Sequence, residues 1–181
     1  MSSADSFFLN SPIIHMGCLY PVLPRIDLPT IRLETYISAD AERCFDLSRS
    51  VEIHQSSLAR TKERAIAGVT SGLMGPDETV TWEGVHFGFK QRLTSRITEF
   101  ERPSRFTDEM IRGPFKRLRH VHEFIPKGSR TLLLDTMVFE SRWSVLGRLL
   151  DGLLLAGYMK KLLIERNAYL KQIAEEGGGE C

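Results

Sequence analysis

The sequence predicts an α+β domain: a curved antiparallel sheet covered by one long C-terminal helix, with two short helices after the first strand. Three observations carry that expectation. Residues 78–140 alternate apolar and polar side chains in short runs, the period of half-buried strands. Turn-forming pairs separate these runs, so neighbours in the series pair as antiparallel hairpins. Residues 146–173 then change to apolar steps of three and four, the period of a helix. A sheet with one apolar face must bury it, and only this last helix is long enough to do so.

Residues 1–30 hold four of the eight prolines (Pro12, Pro21, Pro24 and Pro29) and few charges, and they read as an extended arm ahead of the domain. They lack the basic start and unbroken apolar stretch of a secretory signal. The domain itself spans residues 31–175, and residues 176–181, rich in glycine, form a tail. Within it, residues 31–37 alternate as a strand. Asp40 offers an N-cap for a helix over residues 41–48 with Cys44, Phe45 and Leu47 inward, and residues 51–58 form a second helix. A strand over residues 63–67 precedes a loop marked by Gly68, Gly72, Gly75 and Pro76. Strands follow over residues 80–87, 92–100, 106–112, 115–124 and 131–140, with turns at Pro103, at Gly113-Pro114 and around Pro126-Lys127-Gly128. The terminal helix runs for about 28 residues, or about 42 Å at 1.5 Å per residue. Gly152 and Gly157 lie inside it, at a cost of about 1 kcal/mol each relative to alanine. They mark either close contact with the sheet or a bend, or else room left for a ligand.

Composition narrows the function. The chain has 181 residues, enough for one domain, and 24 Lys and Arg against 23 Asp and Glu give a net charge of +1, unlike a general nucleic-acid binder. Arg112, Lys116, Arg117 and Arg119 form a local basic patch that reads as a solvated face. Cys18, Cys44 and Cys181 are scattered and show no zinc or disulfide spacing, which points to a reducing, cytoplasmic setting. No run of 18 apolar residues is present to span a membrane.

The order of elements and several motifs resemble the START-like (SRPBCC) superfamily, the helix-grip fold, and within it the stand-alone bacterial ligand-binding subgroup. The matching stretches are residues 37–45 (Ile37-Ser38-Ala39-Asp40 through Cys44-Phe45), Val80-Thr81-Trp82, residues 97–110, Arg112-Gly113-Pro114-Phe115, His120-Val121-His122-Glu123-Phe124, and Thr131 through Asp135 to Phe139. The likeness runs from residue 31 to 174. At residues 141–145 the chain departs from it, where related proteins tend to carry a Pro- and Gly-containing connection. The resemblance implies an apolar cavity between sheet and long helix, and a hydrophobic small molecule or lipid as ligand. It also leaves room for catalysis of the polyketide cyclase kind.

Strand parity places a polar constellation in that cavity. If Met110 pairs with Leu118 across Gly113-Pro114, Asp108 faces His120 and Phe106 faces His122. Leu118, His120, His122 and Phe124 then share the concave face, with Arg117, Arg119 and Glu123 outside. Pairing Phe124 with Thr131 on the next hairpin sets Asp135 opposite His120 and Met137 opposite Leu118. Three roles are open to this set. It can be a structural hydrogen-bonded cluster, or it can orient the polar end of a ligand. The third role is chemistry, with His120, Asp108 and Asp135 as an acid–base group or with a metal held by His120, His122 and a carboxylate. His-x-His supplies only two such ligands, so the expectation is no metal, no cofactor and no catalytic residue. Trp82, His86, Met110, Phe115, Met137 and Phe139 from the strands, and Leu150, Leu154 and Tyr158 from the helix, complete the candidate ligand-binding wall. A third class of function is an interaction module, with side chains filling the cavity and the arm docking a partner.

Overall fold

The computed structural model describes residues 28–141 and 147–176, the latter with side chains from Leu154 onward. The arm before residue 28, the tail, Cys18, Cys181, the departure beyond Ser141, the Leu150 side chain and the surroundings of Gly152 lie outside what is described. The chain runs β1 (Thr30–Ile37), α1 (Ala41–Ser48), α2 (Val51–Ser57), a 3-10 turn (Ala59–Thr61), β2 (Arg64–Gly68), β3 (Thr79–His86), β4 (Phe89–Glu101), β5 (Arg105–Arg112), β6 (Phe115–Lys127), β7 (Arg130–Ser141) and α3 (Gly147–Glu176). The strands form one curved antiparallel sheet in the order β1-β7-β6-β5-β4-β3-β2. Each hairpin neighbour pairs as expected, and β1 closes onto β7 from the far end of the sequence.

Local chemistry accounts for the boundaries. Asp40 caps α1 by accepting the Arg43 N–H at 2.8 Å, and Ser50 caps α2 by accepting the Ile53 N–H at 3.3 Å. The β3–β4 connection is only Phe87-Gly88, both with positive φ (53° and 81°), so β4 begins at Phe89, earlier than the pattern implied. Register shifts at Thr94/Ser95 and Ile97/Glu99 bend β4, as bulges do.

The β6–β7 register corrects the expected one. Lys127 pairs with Arg130 across a two-residue turn, so Phe124 stands opposite Leu133, His122 opposite Asp135, His120 opposite Met137 and Leu118 opposite Phe139. The strand continues through Pro126 because β5 no longer pairs with β6 beyond Glu123, and proline there forfeits no bond to β5. The slip is two residues, which preserves every face. The β5–β6 ladder matches the expectation, with Asp108 opposite His120 and Phe106 opposite His122.

The 30-residue α3 lies against β1 and both short helices. Among its described side chains, Leu162, Leu163, Arg166, Asn167, Leu170 and Ala174 are buried, whereas Tyr169 and Ile173 are only half-buried. Two polar residues thus sit on the inward face, rotated from the purely apolar stripe. The apolar core falls into two parts. One gathers Ile37, Phe45, Val51, Phe106, Phe124, Leu133 and Leu170, and the other gathers Ile31, Phe115, Leu118, Met137, Phe139 and Leu163. Along β6, β7 and α3 the residues between the two parts are His120 and His122, Asp135, and Asn167. Gly157 is exposed, and among the described residues a Cβ there would meet nothing beyond its own helix within 4 Å, so close contact with the sheet does not explain it.

Candidate functional site

A cavity of about 590 Å³ opens among the sheet, α2 and α3, within the range that small-molecule sites occupy. Of the residues expected on its wall, Trp82, His86, Phe115, Leu118, His120, His122, Met137, Leu154 and Tyr158 line it. Leu154, 72% exposed, sits at the rim. Three others do not reach it. Met110 packs beside Gly113, where a Cβ would come within 2.5 Å of its sulfur. Phe124 is enclosed by Phe45 and Phe106, with ring centroids 5.4 and 6.0 Å away, and Phe139 packs on Phe115 at 5.8 Å.

The polar group between the two apolar parts is tightly knit. Asp135 is fully buried and accepts from Asn167 Nδ2 at 2.6 Å through Oδ2 and from His120 Nε2 at 2.9 Å through Oδ1. A carboxylate can only accept, so His120 Nε2 carries the hydrogen of that bond. His122 Nε2 lies 3.1 Å from Asp108 Oδ2, and its Nδ1 lies 2.8 Å from Asp135 Oδ1 without the angle of a hydrogen bond. Phe106 stacks on the His122 ring at 4.3 Å. Arg166 donates to Asn167 Oδ1 at 3.1 Å and to the Ser48 carbonyl at 2.9 Å, which anchors α3 to α1.

Electrostatics follow from this packing. Burial works to raise the Asp135 carboxyl, but the hydrogen bond from His120 and the close approach of the His122 ring overcome it and hold the group well below the usual carboxylate range. Asp108 is likewise lowered against its desolvation, by His122, His120 and Arg166. Burial, with the neighbouring His122 ring, pushes His120 down, so at neutral pH its Nδ1 carries a lone pair. The Asp108 side chain, 23% exposed, faces the cavity, and His120 Nδ1 lies 3.8 Å from its Oδ2. The cavity's polar end therefore presents two acceptors.

A second polar group lines the same cavity and was not foreseen as a unit. Glu63 places Oε2 2.9 Å from His54 Nε2 and Oε1 3.4 Å from His86 Nε2, while His86 Nδ1 meets the Tyr158 hydroxyl at 2.8 Å. Trp82 stacks on His54 with centroids 4.0 Å apart. Burial disfavours the Glu63 anion, yet the two imidazoles lower its carboxyl to about 2, and burial raises the Tyr158 phenol. Gly84 leaves the space for this group, since a Cβ there would come 2.7 Å from Glu63 Cγ and 3.0 Å from His86 Nε2. Sequence reasoning missed Glu63, His54, Arg166 and Asn167. The spacing of Leu163, Asn167, Leu170 and Ala174 was the one signal that placed Asn167 inward.

On the outer face, Arg119 pairs with Glu109 and Glu99 at 2.9 and 2.7 Å, and Lys116 pairs with Glu140 at 2.6 Å. Two of the four cations of the basic patch are thus matched by carboxylates. No helix among the described residues is long and apolar enough to cross a membrane.

Known proteins place this architecture. The family described as polyketide cyclase / dehydrase and lipid transport matches residues 38–154. Among solved structures, the chain is similar to TTHA0849 from Thermus thermophilus (24% identity, 78% of this chain and 97% of that one, TM-score 0.63). It is similar to a START superfamily protein from Mycobacterium smegmatis (14% identity, 81% and 97%, TM-score 0.64). It is also similar to the Zhui aromatase/cyclase from Streptomyces sp. R1128 (13% identity, 82% and 94%, TM-score 0.66). No curated protein sequence matches the chain. At these identities the solved structures speak for the fold alone, whereas the family match extends over more than half of the sequence. On that match the chain belongs to the polyketide cyclase / dehydrase and lipid transport family, and its fold is the START-like (SRPBCC) helix grip.

Proposed function

We propose that residues 31–175 form a binding domain for a hydrophobic small molecule or lipid, which enters the cavity with its polar end toward Asp108 and His120. The observation that carries this reading is a space of about 590 Å³ whose walls are apolar over most of their extent and polar at two defined places. Covering about 200 Å² of apolar ligand surface is worth about 5 kcal/mol before ordering costs. The cytoplasm is the compartment we assign, and the raised thiol of buried Cys44, pushed up to about 11 chiefly by burial, fits a cysteine kept for packing.

Native mass spectrometry of protein purified without added ligand, followed by organic extraction, tests the reading. A co-purified apolar compound, or saturable binding of 8-anilinonaphthalene-1-sulfonate to emptied protein, is the expected result. An empty protein that binds no such probe would overturn it.

A second reading is an enzyme of the cyclase kind. The observation favouring it is the His120 imidazole, whose Nε2–H is fixed by Asp135 while Nδ1 faces Asp108 and the cavity. His120→Ala separates the two. A carrier keeps affinity for the apolar probe, while a catalyst keeps binding and loses turnover.

A further inference from the structure

The imidazoles of β6 divide their nitrogens between two carboxylates. His120 turns Nε2 to Asp135 (2.9 Å) and Nδ1 to Asp108 (3.8 Å), while His122 turns Nδ1 to Asp135 (2.8 Å) and Nε2 to Asp108 (3.1 Å). One donor atom from each of Asp108, His120 and His122 lies within 4.8 Å of the other two. A tetrahedral divalent ion with ligands about 2.1 Å away holds its donors about 3.4 Å apart. The two separations from Asp108, 3.1 and 3.8 Å, bracket that value.

Asp135 supplies what such a site needs behind its ligands. Ligating histidines ordinarily give their other nitrogen to a carboxylate that fixes ring orientation. Here one buried carboxylate faces the far nitrogen of both rings, and Asn167 fixes that carboxylate in turn. Asp108 and Asp135 bring two carboxylates to meet a dication.

We propose that Asp108, His120 and His122 bind a divalent transition-metal ion at the polar end of the cavity, with Asp135 orienting both imidazoles and a remaining position open to the cavity. Two imidazoles and one carboxylate suit zinc or ferrous iron. To ligate through Nε2, His122 carries its ring hydrogen on Nδ1, toward Asp135, and the ion takes the place between Nε2 and Asp108. The open position fits a carboxylate, phenolate or enolate oxygen at the end of an apolar molecule, and this last step rests on the ligand-binding reading. The ion itself does not, because metal uptake requires no organic ligand.

The test uses the full chain, stripped with chelator and titrated with Co²⁺ and then Zn²⁺. One equivalent of Co²⁺ with visible d–d absorption, displaced by one equivalent of Zn²⁺, is expected. Asp108→Asn should weaken Co²⁺ binding at least 100-fold, and Asp135→Asn about tenfold to 100-fold. Glu63→Gln, in the other polar group, should leave it unchanged. Asp108→Asn is nearly isosteric at a partly exposed side chain, and circular dichroism verifies that it folds. Absence of Co²⁺ uptake by the parent chain, uptake unaffected in Asp108→Asn, or uptake lost in Glu63→Gln would each overturn the proposal. Failure of the apolar probe to bind, with Co²⁺ bound normally, would overturn only the ligand reading and the use of the open position.

Discussion

His120 and Asp135 meet on a diagonal of the sheet. His120 stands opposite Met137 and Asp135 opposite His122, yet His120 Nε2 reaches Asp135 Oδ1 at 2.9 Å. Same-face residues two positions off the direct pair are still within reach of long side chains, so one carboxylate serves two imidazoles. Asp135 is fully buried, and its removal leaves His120 and Asn167 without their acceptor. Asp135→Ala should therefore destabilise the fold by about 3–5 kcal/mol. Asn167→Leu, which strips Asp135 Oδ2 of its donor, should cost about 1–3 kcal/mol. Urea unfolding of both single variants and the double variant measures this. Because the two residues touch, their effects should sum to more than the double variant loses, and simple additivity would count against the shared network.

Gly157 should be replaceable with a gain in stability. It is exposed in mid-helix, and among the described residues no atom outside its own helix lies within 4 Å of a Cβ built on it. Gly157→Ala should raise stability by about 0.5–1 kcal/mol by lowering the entropy of the unfolded chain. Thermal melting reads the change directly, and a lowered Tm would show that the position has a contact that only a bound molecule or another chain supplies.

Acid stability should depend on Glu63. Its carboxyl is held at about 2 against an ordinary 4.5, so the folded state binds its proton less readily than the unfolded chain does. The stabilisation is complete above about 4.5 and is lost as pH falls toward 2. Between pH 6 and pH 3 the urea midpoint of the parent chain should fall further than that of Glu63→Gln. Equal falls would mean that His54 and His86 do not hold the anion.

The cavity can be filled on purpose. Leu118 and Met137 line it from adjacent strands and point into empty volume. Leu118→Trp enters that space rather than a packed core, so it should avoid most of the about 1–3 kcal/mol that overpacking costs. Affinity for 8-anilinonaphthalene-1-sulfonate should drop at least tenfold while the urea midpoint stays nearly unchanged. Undiminished binding would place the probe outside the cavity.

Period, capping and turn chemistry are local, and they made much of the molecule legible before any coordinates. The alternation in residues 106–112 and 115–124 put Asp108, His120 and His122 on one inward face, and the β5–β6 ladder has that pairing. Asp40 announced α1, and the change of period after residue 140 announced α3. The β6–β7 register was misjudged by two residues because Pro126 read as a turn. A strand accepts it there only because β5 has already ended.

What tertiary structure alone decided are relations between distant segments. Nothing near Asn167 in the chain says that it will meet Asp135, 32 residues away, or that Arg166 will reach Ser48. Both are buried because the inward face of α3 crosses the polar seam between two halves of the core. Glu63, His54, His86 and Tyr158 likewise come together from the segment after α2, α2 itself, β3 and α3. A sequence pattern fixes which face a side chain takes, since that depends on backbone period. Which buried polar group answers which depends on how the faces are laid against one another, and that is settled only when the desolvation of each group must be compensated by a partner.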